Sequence, residues 1–322
     1  MKILVTGGAG YIGSHAVYAL IEQGHEVAVV DNLVTGHRQD VHPKAKFFHG
    51  DIGNYRFMRD VLTTVLPDGV IHFAAYSLVG ESMANPFKYY ENNVGATNSM
   101  LKAMSDAGIS NIVFSSTAAT YGDVLEMPIT EAAPTNPTNA YGETKLAMER
   151  MMDWNRVAHG LNYVSLRYFN VAGAHPSGAI GEKHDPETHL IPLILEVAAG
   201  KREYISVFGD DYPTPDGTCI RDYIHVMDLA EAHILAMKYL LDGNPSTTCN
   251  LGNGEGFSVL EAIEAARLVT GKPIPIKISP RRAGDPARLI ASSERAQSLL
   301  GWIPKQPQIN DILKSAWKIQ KF

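Results

Sequence analysis

Tyr141 and Lys145 stand four residues apart at the head of a run with helical character, Glu143 to Ala158, which puts both side chains on one helix face. A phenol is a poor base at neutral pH, its reference pKa being about 10. An ammonium held close favours the phenolate and draws that value down. Thr117 follows the strand-like Ile112-Val113-Phe114 and offers a hydroxyl at the same place. Together the three are suited to take a proton from an alcohol while a hydride leaves its carbon. The Tyr-x-x-x-Lys spacing alone arises by chance on many exposed helices, so this chemistry requires a nicotinamide site built by the rest of the chain.

The elements for such a site open the sequence. Ile3-Leu4-Val5-Thr6 reads as a buried strand, and Gly7 to Gly13 turns it into a helix running to about Gln23. Gly7, Gly10 and Gly13 recur at every third position, where backbone must approach a pyrophosphate closely and free amides at a helix start attract anions. A second strand, Glu26 to Val30, ends at Asp31, placed to grip a ribose diol. A carboxylate there repels a 2'-phosphate, so NAD is expected over NADP.

The pattern repeats. Lys46-Phe-Phe-His-Gly50 ends at Asp51-Ile52, Gly69-Val-Ile-His-Phe73 at Ala74-Ala75, Ile112 to Ser116 at Thr117, and Tyr163 to Tyr168 at Phe169-Asn170. Helical patterns separate these strands, as right-handed parallel connections require. Each candidate contact lies just past the carboxyl end of a strand, the edge along which open α/β sheets bind ligands. The expected fold is α/β: a doubly wound, Rossmann-type parallel sheet over residues 1–170, with a smaller, mixed α/β lobe over 171–322. Segments around 220–250 are expected to return to the first unit.

Composition bounds the partners. The chain has 322 residues, 45% apolar and 19% charged, with a net charge of -6, which argues against a nucleic-acid or anionic-membrane binder. Cys219 and Cys249 form no Cys-x-x-Cys pair and read as reduced thiols. The histidines show no ligand-like pairing, so no metal site is expected. The apolar run Ile3-Leu4-Val5 is too short for a signal peptide or a membrane span, and a cytoplasmic protein is expected. Asn93 to Ala107 and the Tyr141 helix carry more apolar residues than one buried stripe needs. On the latter these include Leu146, Met148, Met151, Met152, Trp154 and Val157. Such a surplus serves either burial within the monomer or a homodimer through these two helices.

After Asn170 the alternation fades. His175 to His189 reads as a loop leading to a helix from about Leu190 to Ala199, and Ser258-Val-Leu-Glu261 is a capping box opening a helix towards Thr270. Arg221 lies in an extended run, and Arg281-Arg282 stand near Asp285. Arginine suits a diphosphate because its planar fork donates two hydrogen bonds at once.

Taken together, TGGAGYIG, SSTAATYG, AYGETK, RYFNVAGAHPSG, RDYIHVMDLA, NLGNGEG and RRAGDPA resemble the extended short-chain dehydrogenase/reductase family, and within it the branch that epimerises UDP-hexoses at carbon 4. The resemblance runs in order from Met1 to about Trp302. It implies a tightly held NAD, contacted by Gly7, Gly10, Tyr11, Ile12, Gly13, Asp31, Asn32, Leu33, Val34, Thr35, Gly36, Asp51, Ile52, Phe73, Ala74, Ala75, Tyr76, Ser77, Asn92, Lys145 and Phe169. It implies a UDP moiety held by Asn170, Leu190, Phe208, Arg221, Arg282 and Asp285. UDP-glucose and UDP-galactose are the implied substrates. Tyr141 is the implied base at the sugar's 4-hydroxyl, with Thr117 on the 4-oxygen and Lys145 holding the nicotinamide ribose. Hydride would pass from carbon 4 to NAD and return to the opposite face after the sugar swings over.

Four positions depart from the pattern. Thr117 stands where many relatives have serine, and the hydroxyl survives. Ser77 replaces a lysine near the cofactor pyrophosphate, which would weaken NAD retention. His189 replaces an asparagine that contacts UDP, so only its neighbour Leu190 carries over. Leu289 falls where a tyrosine crowds an N-acetyl group and a small residue admits it. Leucine is intermediate and leaves a dual-specificity or UDP-N-acetylglucosamine 4-epimerase open. A dehydratase or decarboxylase would carry a carboxylate beside Thr117, where Ala118 and Ala119 offer none. A non-catalytic NAD-sensing regulator would not need Thr117, Tyr141 and Lys145 together.

Overall fold

Side-chain alternation along the first strand sets the layering. In β1 (Lys2–Thr6), Ile3 and Val5 face one apolar cluster and Leu4 faces another, so both sheet faces are buried. A parallel sheet covered by helices on both sides meets that demand. The computed structural model describes residues 1–282 and 285–320, so Ala283 and Gly284 of the arginine stretch lie outside the described residues.

The chain continues through α1 (Tyr11–Glu22), β2 (Glu26–Asp31), β3 (Lys46–His49), α2 (Tyr55–Val65) and β4 (Gly69–His72). The short helices α3 (Val79–Ala84) and α4 (Pro86–Tyr89) and a π turn, Tyr90–Gly95, lead into α5 (Ala96–Asp106). Next come β5 (Asn111–Ser115), α6 (Ala140–His159), β6 (Asn162–Tyr168) and β7 (Asn170–Ala172). Then follow α7 (Leu190–Ala198), β8 (Ile205–Phe208), β9 (Ile220–Arg221), β10 (Tyr223–His225), α8 (Val226–Leu241) and β11 (Thr247–Leu251). The remainder is β12 (Phe257–Ser258), α9 (Val259–Thr270), β13 (Ile276–Ser279), β14 (Arg288–Leu289), α10 (Glu294–Leu300) and α11 (Ile309–Gln320).

The main sheet runs in the order β11-β6-β5-β4-β1-β2-β3, every neighbouring pair parallel. Chain order reverses between β1's two neighbours, β2 and β4. The crevice outside their carboxyl ends is where an open α/β sheet takes a dinucleotide. Thr6 is paired with Val30 on one side and His72 on the other, so these strands finish level. Helices α1 and α8 cover one face, while α2, α5 and α6 cover the other. Each fully buried aliphatic side chain in these clusters, such as Leu20 or Leu62, contributes about 1.5–3 kcal/mol.

Local signals end the helices where expected. Asn139 caps α6 by accepting from Gly142 N at 2.8 Å, and Gly160 closes it with φ 69°. Both halves of the Ser258–Glu261 capping box form at the start of α9. The smaller C-terminal lobe is mixed: the pair β8–β13 and the three-stranded β12-β9-β14 pack with α7, α9 and α11 around a separate apolar cluster. Among the described residues no helix is long and apolar enough to cross a membrane.

Candidate active site

The glycine turn is shaped by close backbone packing. A Cβ on Gly13 would lie 2.1 Å from Gly7 O, and one on Gly7 would lie 2.6 Å from Ala74 N at the end of β4. Neither position tolerates a side chain. Gly10 is the N-cap of α1 and supplies no side-chain hydrogen bond, and the first turn carries no acid. The opening amides of this helix are therefore free for an anion. Asp31 Oδ2 accepts from Ala9 N at 2.9 Å and Oδ1 from Leu33 N at 2.8 Å, holding the carboxylate beside the turn. A turn closed to a Cβ at Gly7 and Gly13, uncapped helix amides and an acid at the second strand's end fit a dinucleotide.

Around this cradle the expected contacts divide. Leu33, with φ 60°, carries the chain around Asn32 to the exposed Val34 and Thr35 and the buried Gly36. Asp51 is engaged by Asn32 Nδ2 at 2.8 Å and Gly53 N at 2.7 Å. Asp51, Tyr76 and Asn92 line a cavity of about 550 Å³ whose lining does not include Tyr141. Ile52 is turned into the apolar core, and Phe169 packs with Ala118 and Tyr121. Phe73, Ala74 and Ala75 are half-buried past β4. Ser77 is exposed, and one residue before it Lys88 Nζ lies 4.3 Å from the Tyr76 ring centroid, tied to Glu81 at 2.6 Å.

The structure brings Thr117, Tyr141 and Lys145 together past β5. All three are buried. Lys145 Nζ donates to Ser115 O at 2.9 Å and lies 6.0 Å from the Tyr141 ring centroid. Burial lowers the Lys145 pKa to about 7, with the Glu149 carboxylate acting against it. Burial also raises the Tyr141 phenol above its usual 10, with the hydrogen bond to Thr117 pulling it partly back. Burial thus works against the depression of Tyr141 expected from the spacing. Desolvation of the buried phenol outweighs the one contact that favours the phenolate, the hydrogen bond to Thr117.

Beneath the trio lies a layer that sequence reasoning missed. Glu149 continues the Tyr141–Lys145 face by another four residues. It accepts from Ser116 Oγ at 2.5 Å and from Arg167 Nε at 2.9 Å and Nη2 at 2.5 Å. Ser82 Oγ accepts from Tyr141 N at 3.1 Å, and Asn93 bridges Tyr76 O and Thr144 Oγ1 at 3.1 Å each. The repeat of spacing at Glu149 was a readable signal. Its partners on other elements were not.

In the smaller lobe, Arg221 Nη2 pairs with Asp285 at 3.3 Å, and its Nη1 donates to Ile220 O and Pro286 O at 2.9 Å each. Leu289 in β14 pairs in register with Arg221 in β9. The Arg282 guanidinium stacks 3.9 Å from the Phe208 ring centroid. Asn170 N donates to Asp222 O at 3.0 Å, which ties β7 to the same lobe, and Leu190 opens α7. The two neighbouring arginines do not act together. Arg281 turns away to Asp211 at 2.6 Å, because the turn there offers both a carboxylate and the Tyr212 ring.

Three further expectations change. Leu146, Met148 and Met152, with Met100, Leu101 and Met104 of α5, are spent inside the monomer. Only Trp154 and Val157 of the α6 surplus stay exposed, at 73% and 64%. Asn93 belongs to the π turn, and the α-helix begins at Ala96. The histidines are also not all unpaired: the fold draws His184 and His189 onto Glu182 and Glu187.

The NAD dependent epimerase/dehydratase family matches residues 3–252. The chain is similar to a UDP-glucose 4-epimerase of Lacticaseibacillus casei, 57% identical over 98% of this chain and 96% of that one. It is similar to a crystal structure of a UDP-glucose 4-epimerase at 55% identity and TM-score 0.98, covering 100% of this chain and 98% of the other. It also resembles a UDP-glucose 4-epimerase from Brucella ovis in complex with NAD, 46% identical with TM-score 0.96, over 98% of this chain and 97% of that chain.

Proposed function

The chain belongs to the NAD dependent epimerase/dehydratase family, and on that premise we propose how its residues carry the reaction of its relatives. It is an isomerase that interconverts UDP-glucose and UDP-galactose through transient oxidation at sugar carbon 4, with NAD as cofactor. The observation that carries the assignment of roles is the buried meeting of Thr117, Tyr141 and Lys145 at the sheet's carboxyl edge, beside the glycine cradle.

The glycine turn, Asp31 and Lys145 would hold NAD, which would supply the hydride acceptor and donor. Tyr141 removes the proton of the sugar's 4-hydroxyl and later gives it back. Thr117 hydrogen-bonds the 4-oxygen, which holds that oxygen on the phenol. Lys145, already drawn to about 7 by burial, holds the nicotinamide ribose and lends positive charge to the phenolate. Glu149, braced by Arg167 and Ser116, keeps the opposing charge that lets a lysine stay protonated there. Arg221, Arg282, Asp285, Phe208, Leu190 and Asn170 anchor the UDP. Firm nucleotide contacts with loose sugar contacts let the sugar present either face while the diphosphate stays fixed.

The test is purified protein given UDP-galactose without added NAD, with the 4-epimer sought by chromatography. Conversion is expected. No conversion even after NAD is supplied would overturn the reading. Leu289 supports a second reading. It adjoins Arg221, and leucine is smaller than tyrosine, so the same experiment with UDP-N-acetylgalactosamine decides dual specificity.

A homodimer through α5 and α6 is further proposed, supported by the exposed Trp154 and Val157. Trp154→Glu is expected to shift sedimentation to the monomer. A cytoplasmic setting accords with Cys219 and Cys249, which are both free and buried. A division into a cofactor unit (1–170, plus about 220–250) and a UDP-sugar lobe (171–322) accords with β11 pairing to β6 in the main sheet.

A further inference from the structure

The loop between β7 and α7 holds a cluster outside the machinery described above. Glu182, His184, Glu187 and His189 fall in the pattern Glu-x-His-x-x-Glu-x-His. One potential ligand atom from each lies within 4.8 Å of all the others. His189 Nδ1 is 2.9 Å from Glu182 Oε1 and 3.0 Å from Glu187 Oε1. His184 Nδ1 is 3.1 Å from Glu182 Oε1 and 3.7 Å from Glu187 Oε2. Both imidazoles thus aim the same nitrogen at the same two carboxylates.

Those four separations straddle the edge of a tetrahedron. Ligands placed 2.0–2.1 Å from a zinc ion stand about 3.3–3.4 Å apart. The carboxylate side chains are only 7% and 9% exposed. Two buried carboxylates at one point draw positive charge between them, which protonated imidazoles or a bound cation supplies. His184 Nδ1 is shielded from solvent and, although it faces both carboxylates, makes no well-aligned hydrogen bond to either. Imidazole nitrogen with carboxylate oxygen in a four-point array is a donor set for a transition ion and not for Mg²⁺ or Ca²⁺.

We propose that Glu182, His184, Glu187 and His189 form a four-coordinate site for a divalent transition-metal ion, with Zn²⁺ the ion their geometry fits. The site is structural, because all four positions are filled by protein ligands. It sits where a clamp would act. Lys183 pairs with Asp40 at 2.7 Å, and the His184 ring lies 6.2 Å from that of Tyr11 in the glycine turn. His189 is the N-cap of α7, directly before Leu190. A metal there fastens the loop 182–189 between the cofactor turn and the helix that begins the UDP wall.

The test uses the full chain, purified without a polyhistidine tag, treated with chelator, and titrated with Zn²⁺ against a chromophoric competitor. One equivalent per chain, bound with sub-micromolar affinity, is expected. Substituting Co²⁺ should give the intense visible bands of tetrahedral coordination. Glu182→Gln and His189→Gln should each weaken binding by about 100-fold or more. His159→Ala, at an exposed position on α6, should leave binding unchanged. Release of zinc by the unsubstituted chain to a competitor of micromolar affinity would overturn the proposal. An octahedral cobalt spectrum, or equal retention by both cluster variants, would also do so. The cobalt spectrum needs no substitution, so it decides the geometry even where a variant fails to fold.

Discussion

Tyr141→Phe removes one oxygen from the centre of the site, and its effects on activity and on folding separate cleanly. Tyr141 is 9% exposed, and its phenol hydrogen-bonds the Thr117 hydroxyl. Deleting one neutral hydrogen bond costs about 0.5–1.5 kcal/mol of stability, which a domain of ordinary stability survives. The catalytic loss is larger. At pH 7 a phenol with a pKa of 10 is ionised in about one molecule in a thousand, and burial lowers that fraction further. The site therefore depends on the Lys145 charge and on the phenol together, and general-base catalysis contributes about 10²–10⁴-fold, or about 3–5 kcal/mol. Turnover of UDP-galactose should fall at least ~100-fold. Binding of UDP should stay near the unsubstituted value, because Arg221 and Arg282 are held by partners in the smaller lobe. Chromatographic turnover and calorimetric UDP binding measure the two effects. A variant retaining more than about a tenth of the activity would refute the role of Tyr141 as base.

Four other outcomes are expected. Lys145 titrates near 7 when folded against about 10.5 when unfolded, so between these values the unfolded chain binds more protons and stability rises with pH. Relative to Lys145→Met, the cofactor-free chain should gain up to about 1.4 kcal/mol per pH unit from 7 towards 10 in urea unfolding, and a flat difference would contradict the burial argument. Arg167→Met strands the Glu149 carboxylate in the core and should cost about 3–5 kcal/mol, measured the same way. Gly13→Ala drives a Cβ into Gly7 O and should abolish NAD retention, read by absorbance of the purified protein. Leu289→Tyr should depress activity on N-acetylated UDP-sugars more than on plain UDP-hexoses, and an unchanged ratio would discard Leu289 as a gate.

What the sequence determined by itself was local. Strand-glycine-helix order, Asp31 at the end of β2, the Tyr141–Lys145 spacing and the Ser258 capping box depend on periodicity and on backbone needs within a few residues, so they can be read before folding. Tertiary structure decided what depends on burial and on distant partners. It set Glu149 against Ser116 and Arg167, and it gave Asp285 to Arg221 while Arg281 went to Asp211. It placed β11 beside β6 and used most of the apolar surplus of α5 and α6 inside the monomer. It also raised the phenol that spacing alone would have lowered. Spacing states which charges are near, but only the packed fold states how much water is left between them. In a desolvated site that remaining water decides which ionisation state prevails.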